Sequence, residues 1–395
     1  MNELISWVLL AAYAGGVAAL AWSLWQTVRL LRDQRAGTPS SGPAGDWPSL
    51  DVLIPVKDEA AHIARCVESV LAQDYPGLRV TVVNDRSTDG TEQIVQALQD
   101  RRPELRRVDV RELPAGCYGK PHALHQAAGG LTGECLAFVD SDLCLQPHCL
   151  RTLIAHLRDQ RLDWVATMGG PEVRRFWERL LVPLFGAVAF AWYDPRKISD
   201  PRWPDAIGSA LMVCRRDAYA ALGGHGAVLR IYDEDSELIR LAKRAGQRVS
   251  FVLAAELFTQ RHYGTLARTV HGLTRTCIGG IKTLPRLLFT IFALNFVSLL
   301  PGQIALLTAG LTAAGVAVPL AAGWLALAGL HAGLGLALAG LVCREAGVPL
   351  RYAALHPLGA IVLMYICGRA IRQIRRGGAI TWRGTTYAEP RPSGG

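Results

Sequence analysis

The chain has no Cys-x-x-Cys pair, and its nine cysteines are irregularly spaced. An odd, patternless set argues against a disulfide framework and offers no zinc-ligand spacing. Free thiols suit a reducing compartment. No Gly-x-Gly-x-x-Gly follows the first apolar run, and Lys120 lacks the glycine spacing and Ser/Thr of a P-loop. Dinucleotide folds and Walker-type NTPases are therefore disfavoured. A Ser-His-Asp constellation is also missing, so no nucleophilic side chain declares itself. Neither a recognition-helix pattern nor an RNA-binding signature accompanies the net charge of +9, and nucleic acid is not expected as a partner.

Charge is scarce overall, at 19% of residues, and wholly absent between Arg286 and Arg344. Half of the residues are hydrophobic, and they concentrate at the two ends. Leu4 to Trp25 is uncharged and long enough to span a bilayer as a helix, which takes about 20 residues. Glu3 precedes it and Arg29, Arg32 and Arg35 follow it. That charge order is the reverse of a cleaved leader, and predicts a retained anchor whose following chain lies inside. The uncharged stretch after Arg286 is long enough for two spans, and Tyr352 to Cys367 is a third candidate. Arg369, Arg372, Arg375 and Arg376 favour the inner side for the tail. Three full spans after an inner domain would put that tail outside, so one segment is expected to be re-entrant or interfacial. The segmentation is then an anchor at 1–35, a Gly/Pro/Ser-rich linker at 36–48, a globular domain at 49–275, an apolar module at 276–378 and a tail at 379–395.

Inside the globular part, strand-like and helix-like runs alternate. Asp51–Val56, Arg79–Asn84, Val108–Leu113 and Cys135–Val139 read as strands, with helices predicted over Ala60–Ala72, Thr91–Arg101 and Pro121–Ala128. Such alternation predicts an α/β fold with a mostly parallel, doubly wound sheet, whose ligands bind beyond the strand C-termini. Three predicted strands end in acidic clusters: Lys57-Asp58-Glu59, Asp85 with Asp89, and Asp140-Ser141-Asp142. Two carboxylates one residue apart suit a hard divalent cation, Mg²⁺ or Mn²⁺, which such sites share with substrate phosphates. Ser87 and Thr88 read as turn and cap residues before the helix at Thr91. Lys120, before a predicted helix, suits phosphate. Asp233-Glu234-Asp235 sits at a predicted helix start, where acids favour the dipole; one of them, Asp235, is the candidate general base. The stretch from Arg174 to Tyr193 mixes basic and bulky apolar residues, and reads equally as an interfacial helix or as a core helix on the sheet.

In order and spacing these motifs resemble the family 2 glycosyltransferases with a GT-A fold, over roughly residues 50–275. The resemblance implies a nucleotide-sugar site at Pro55, Val56, Glu59, Asp85, Lys120, Asp140 and Ser141. It implies a metal on Asp142 and Asp140, and a Glu234-Asp235 pair whose aspartate is the base. Arg275 falls on the acceptor or diphosphate side. Gly116-Cys117-Tyr118-Gly119-Lys120, Arg215 to Tyr219, Gly223-Gly224-His225 and Thr381 to Tyr387 are similar to the membrane-anchored, lipid-directed branch that includes ceramide glucosyltransferase and hopanoid- or carotenoid-associated bacterial relatives. The Gln/Arg-x-x-Arg-Trp motif of processive relatives is incomplete, with Thr276 where its tryptophan would stand. The implied activity is inverting transfer from a nucleotide-diphosphate sugar, UDP by family default, to a lipid hydroxyl by an integral protein of a bacterial-type inner membrane, its catalytic domain cytoplasmic. A polysaccharide or polyprenyl-phosphate sugar synthase is the alternative enzyme, and a membrane scaffold or transporter the non-enzymatic one.

Overall fold

Leu-Asp-Val-Leu-Ile-Pro-Val, Leu50–Val56, is buried at every position. A run apolar on both faces fits only the middle of a sheet covered on both sides. Its single charge, Asp51, is 4% exposed. The Asp51 carboxylate accepts from Arg79 Nε at 2.6 Å and from the Thr132 and Gly133 amides at 2.9 and 2.6 Å. Burial alone would raise its pKa, but Arg79 and the two amides together hold it below the usual carboxylate value.

This is a computed structural model, and it describes residues 2–33, 47–261, 264–281, 283–376, 380–382 and 385–387. Of the expected linker only Trp47 and Pro48 lie among them. The described strands are β1 Leu50–Val56, β2 Leu78–Asp85, β3 Arg106–Val110, β4 Cys135–Val139, β5 Leu143–Leu145, β6 Trp164–Met168, β7 Gly170–Glu172, β8 Leu211–Arg215, β9 Val249–Leu253, β10 Phe258–Arg261, β11 Ile380–Trp382 and β12 Thr385–Tyr387. Seven of them form one sheet in the order β3-β2-β1-β4-β8-β6-β9. It is parallel except at β8, which runs against both β4 and β6. The mostly parallel α/β sheet expected from the sequence is therefore present. β3 starts two residues before the predicted run and ends three before its predicted end.

Register decides what reaches the ligand edge. Val56 pairs with Asn84, so Lys57 and Asp85 leave the sheet side by side. Val139 pairs with Leu211 of antiparallel β8, which brings the residues before β8 to the point where β4 ends. A small second sheet, β5-β10-β7, lies just beyond Asp142 in the chain.

The chain divides into two compact units. One comprises Gln34–Glu172, Tyr193–His262 and Gly377–Gly395, and holds the sheets. The other comprises Met1–Asp33, Val173–Trp192 and Tyr263–Arg376. The C-terminal part of this second unit begins at Tyr263, and the unit takes in the helix Phe176–Trp192. That helix packs on His356–Arg375 and Leu266–Thr276 within its own unit.

In the second unit three helices are long and apolar enough to cross a membrane: Glu3–Arg29, Ala321–Glu345 and Leu350–Arg375. Leu284–Ser298 and Leu300–Ala313 form a pair bent by 56°. Pro301, in the first turn of the second helix, has no N–H to continue the ladder. Small residues set the close approaches. A Cβ on Gly335 would lie 2.9 Å from the Val297 carbonyl oxygen, and one on Gly359 3.1 Å from a Leu184 methyl. The phenol of Tyr13 is hydrogen-bonded to His331 Nδ1 at 2.7 Å, with Phe296 and Trp324 packed around Tyr13. The Glu178 carboxylate is fully buried and accepts from the amides of Arg174, Arg175 and Gly264.

Candidate functional site

The loops leaving β1 and β2 lock each other. Asp58 and Arg86 both take left-handed backbone conformations, with φ of 52° and 55°, which are uncommon for residues other than glycine. Asp58 Oδ1 accepts from the Thr88 amide at 2.7 Å, and the Asp58 amide donates to Ser87 Oγ at 3.1 Å. The Ala60 amide donates to Asp89, and the Glu59 amide to Thr91 Oγ1. Asp58, Ser87, Thr88 and Asp89 are thus occupied in holding the loops. Ser87 and Thr88 do not cap the following helix as expected; its N-cap position is Gly90, at φ 92°.

Asp85 is 2% exposed, and its carboxylate is held bidentate by the Arg86 guanidinium at 2.7 and 3.1 Å. A nucleoside that meets Asp85 would therefore find the Arg86 guanidinium beside it. Arg86 is the open half of the pair, and the sequence reading passed over it. Lys57 is buried and donates to the carbonyl oxygens of Asp85 and Arg86. Pro55 and Val56 are buried strand residues, and Val56 belongs to the hydrophobic core, so neither offers a side chain to a ligand.

Gly119 opens the helix Gly119–Ala128. A Cβ there would stand 2.3 Å from Asp85 Oδ2, so only glycine lets this turn approach the Asp85–Arg86 pair. The next residue, Lys120, reaches Asp140 Oδ1 and Glu234 Oε1, both at 2.8 Å. Burial works against its charge, but Asp140, Glu234 and Asp235 hold the ammonium protonated well above its usual range. Burial pushes Glu234 upward against the pull of Lys120. The lysine expected to meet phosphate is thus the hub of three acids.

Asp235 sits in the first turn of the helix Glu234–Arg244. Its carboxylate accepts from the Ser209 amide at 2.8 Å and the Ser236 amide at 2.7 Å. Ser209 is delivered by the antiparallel start of β8, and its hydroxyl lies 3.0 and 2.6 Å from the Thr167 and Leu211 carbonyl oxygens, either of which can accept its one proton. A Cβ on Gly208 would lie 2.9 Å from Asp235 Oδ2. Gly208 and Ser209 carry no motif in the sequence, and only the pairing of β8 with β4 reveals them.

Asp142 is pushed up to about 7, first by burial and then by the charges of Asp140 and Glu59. The side-chain amide of Gln260 faces it at 3.4–3.5 Å. Glu59 therefore belongs beside Asp142 as well as near β1. Ser141 is buried between the two aspartates. A cluster of hard oxygen donors of this kind fits a divalent cation. Among the described residues no three or more His, Cys, Asp or Glu side chains form a closed metal cage, and two carboxylates leave coordination for a diphosphate. Arg275 is on Leu266–Thr276, in the other unit.

The remaining motif glycines are structural. Gly224, at φ 56°, packs on the Tyr219 ring, whose hydroxyl is hydrogen-bonded to buried His225. Burial pushes that imidazole down to about 3, so it stays neutral.

Residues 51–221 match the family described as "Glycosyl transferase family 2". Over 185 residues the chain is 27% identical to beta-monoglucosyldiacylglycerol synthase of Synechocystis sp., covering 40% of this chain and 36% of the relative. Over 192 residues it is 28% identical to 4,4'-diaponeurosporenoate glycosyltransferase of Staphylococcus aureus, covering 46% and 48%. The chain thus spans about a third to a half of the length of these curated relatives. Among solved structures it is similar to mannosyltransferase PcManGT from Pyrobaculum calidifontis, in complex with GDP-Man and Mn²⁺. The TM-score is 0.51 at 20% identity, over 95% of this chain and 98% of that one.

Proposed function

Residues 51–221 are a family 2 glycosyl transferase domain in a GT-A fold, and from that premise we propose that the chain transfers a sugar from a nucleotide-diphosphate donor to the hydroxyl of a membrane lipid, with inversion. The observation that carries this reading is the Asp235 carboxylate, held by two backbone amides on the same strand edge as Lys120, Asp140 and Asp142.

In one displacement the acceptor oxygen bonds to the anomeric carbon, and the bond from that carbon to the diphosphate oxygen breaks. The bonding pair leaves with the diphosphate. Asp235 takes the hydroxyl proton; its ties to Ser209 and Ser236 fix the direction from which it does so. Lys120 supplies positive charge beside Asp140, where the leaving group gathers negative charge. Asp140 and Asp142 would hold Mg²⁺ or Mn²⁺. Bound there, the cation neutralises the departing diphosphate. Arg86, backed by Asp85, is the group offered to the nucleoside.

The lipid acceptor is supported by the apolar helices and by similarity to relatives named for a diacylglycerol and a diaponeurosporenoate. The tail supports an arrangement in the membrane. Tyr387 packs on Tyr118, so the tail and the catalytic unit share one side. The chain between them then crosses an even number of times. The bent pair, as one broken span, and Ala321–Glu345 are the two crossings, and Leu350–Arg375, whose start at Tyr352 meets Phe176, adds no third. This puts Arg369 to Arg376 on the catalytic side, which the positive-inside preference makes cytoplasmic.

The test is incubation of the purified protein with radiolabelled UDP- or GDP-sugars and a detergent-solubilised lipid extract, with and without Mn²⁺. Label entering the organic phase one sugar at a time supports the reading. Label accumulating as water-soluble polymer, or no transfer with any donor, overturns it.

A further inference from the structure

The helix that presents Lys120 begins without a cap of its own. Its N-cap position is Tyr118, whose side chain makes no capping hydrogen bond. The Gly119 amide donates instead to the hydroxyl of Tyr387, 268 residues away, at 3.3 Å. The same hydroxyl and Arg86 Nη2 both border Gly119, 3.3 and 3.4 Å from where a Cβ would stand on it. The Tyr387 ring stacks on Tyr118 with centroids 4.5 Å apart and planes at 29°. Tyr118 in turn meets the edge of Tyr232 at 5.6 Å, one residue before the acidic triplet. Tyr387 is 8% exposed.

One phenol therefore bonds to the turn that carries Lys120 and stands beside the Arg86 guanidinium, the two parts of the proposed donor site. We infer that Tyr387 is a positioning residue for the nucleotide donor: its hydroxyl replaces the missing helix cap and fixes Arg86 and Lys120 relative to each other. The C-terminal hairpin β11–β12 is then a working part of the donor site, brought back to it after the last membrane-length helix. The inference rests on the reading of this edge as a nucleotide-sugar site. It assigns Tyr387 no contact with the reacting atoms.

The experiment compares the full-length protein with Tyr387→Phe and Tyr387→Ala, measuring UDP and GDP binding by calorimetry and donor KM, acceptor KM and kcat by transfer. Tyr387→Phe keeps the stacked ring and loses the hydroxyl. It is expected to weaken nucleotide binding and raise donor KM by about fivefold, the factor equivalent to one helix cap, while kcat and acceptor KM stay within about twofold. Tyr387→Ala should exceed it in the same direction. Unchanged or tighter nucleotide binding in the phenylalanine variant would overturn the inference, tighter binding identifying a plug. Equal falls in kcat and thermal midpoint with donor KM unmoved would also overturn it, as a merely structural role. If the unaltered protein binds neither nucleotide, the donor-site reading itself fails and the inference with it. If it binds one and the variants bind equally well, only the inference fails.

Discussion

Asp51 and His331 are both polar groups buried in apolar surroundings, one in each unit, and they are held in different ways. Asp51 has an arginine and two backbone amides around its carboxylate. His331 has one phenol and the rings of Tyr13 and Phe296. The sheet unit fixes position by many directed polar contacts, each of which needs a particular residue type. Apart from the buried Glu178 and its three amides, the helical unit fixes position by close approach of small residues and by one proline break. Single substitutions should therefore have large and specific effects in the first unit and small, distributed ones in the second.

The largest expected effect is at the strand edge. Asp235→Asn keeps one of the two backbone contacts, turns its NH2 toward the other amide and cannot take a proton, and kcat should fall about 10³-fold with only a small fall in thermal midpoint. A fall of less than tenfold would break the contrast. Next is Gly119→Ala, whose new Cβ would meet Asp85; forcing it in should cost about 1–3 kcal/mol and weaken nucleotide binding, read by denaturation and calorimetry. Asp51→Asn is comparable in stability, at about 1–3 kcal/mol, but leaves donor KM alone. Its pKa is lowered on folding, so the contribution of Asp51 is complete above the unfolded value of 3.8 and is lost as pH falls through the lower folded value. The stability gap between Asp51→Asn and the unaltered protein should therefore close only below about pH 4. The smallest effect is Tyr13→Phe, about 0.6 kcal/mol for one hydrogen bond between membrane helices, seen as a slight shift in detergent-unfolding midpoint.

The arrangement in the membrane sharpens the comparison in another way. In a cysteine-free background, Ser393→Cys in the tail and Ser87→Cys in the sheet unit should react with an impermeant thiol reagent from the same side. Val316→Cys, between the bent pair and Ala321–Glu345, should react from the opposite side.

The same contrast explains what could be read in advance. β4 and the helix Thr91–Arg101 fall where periodicity and punctuation placed them, because buried strands and amphipathic helices follow one-dimensional rules. The acidic edge was legible because carboxylates stood at predicted strand ends. Which carboxylate is free was not, since that depends on partners: Arg86 closes Asp85, and Lys120 joins Asp140 to Glu234. Gly208 and Ser209 were invisible because the antiparallel insertion of β8 between β4 and β6 has no local signature. In the apolar half, hydropathy announced the helices. The break at Leu299–Pro301 and the membership of Phe176–Trp192 depended on which faces pack together, which composition does not record.

The most direct test of the central claim is mass spectrometry of lipids from cells expressing the unaltered protein or Asp235→Asn at equal levels. The account predicts a lipid heavier by one sugar residue only with the unaltered protein. The same lipid profile in both would contradict it.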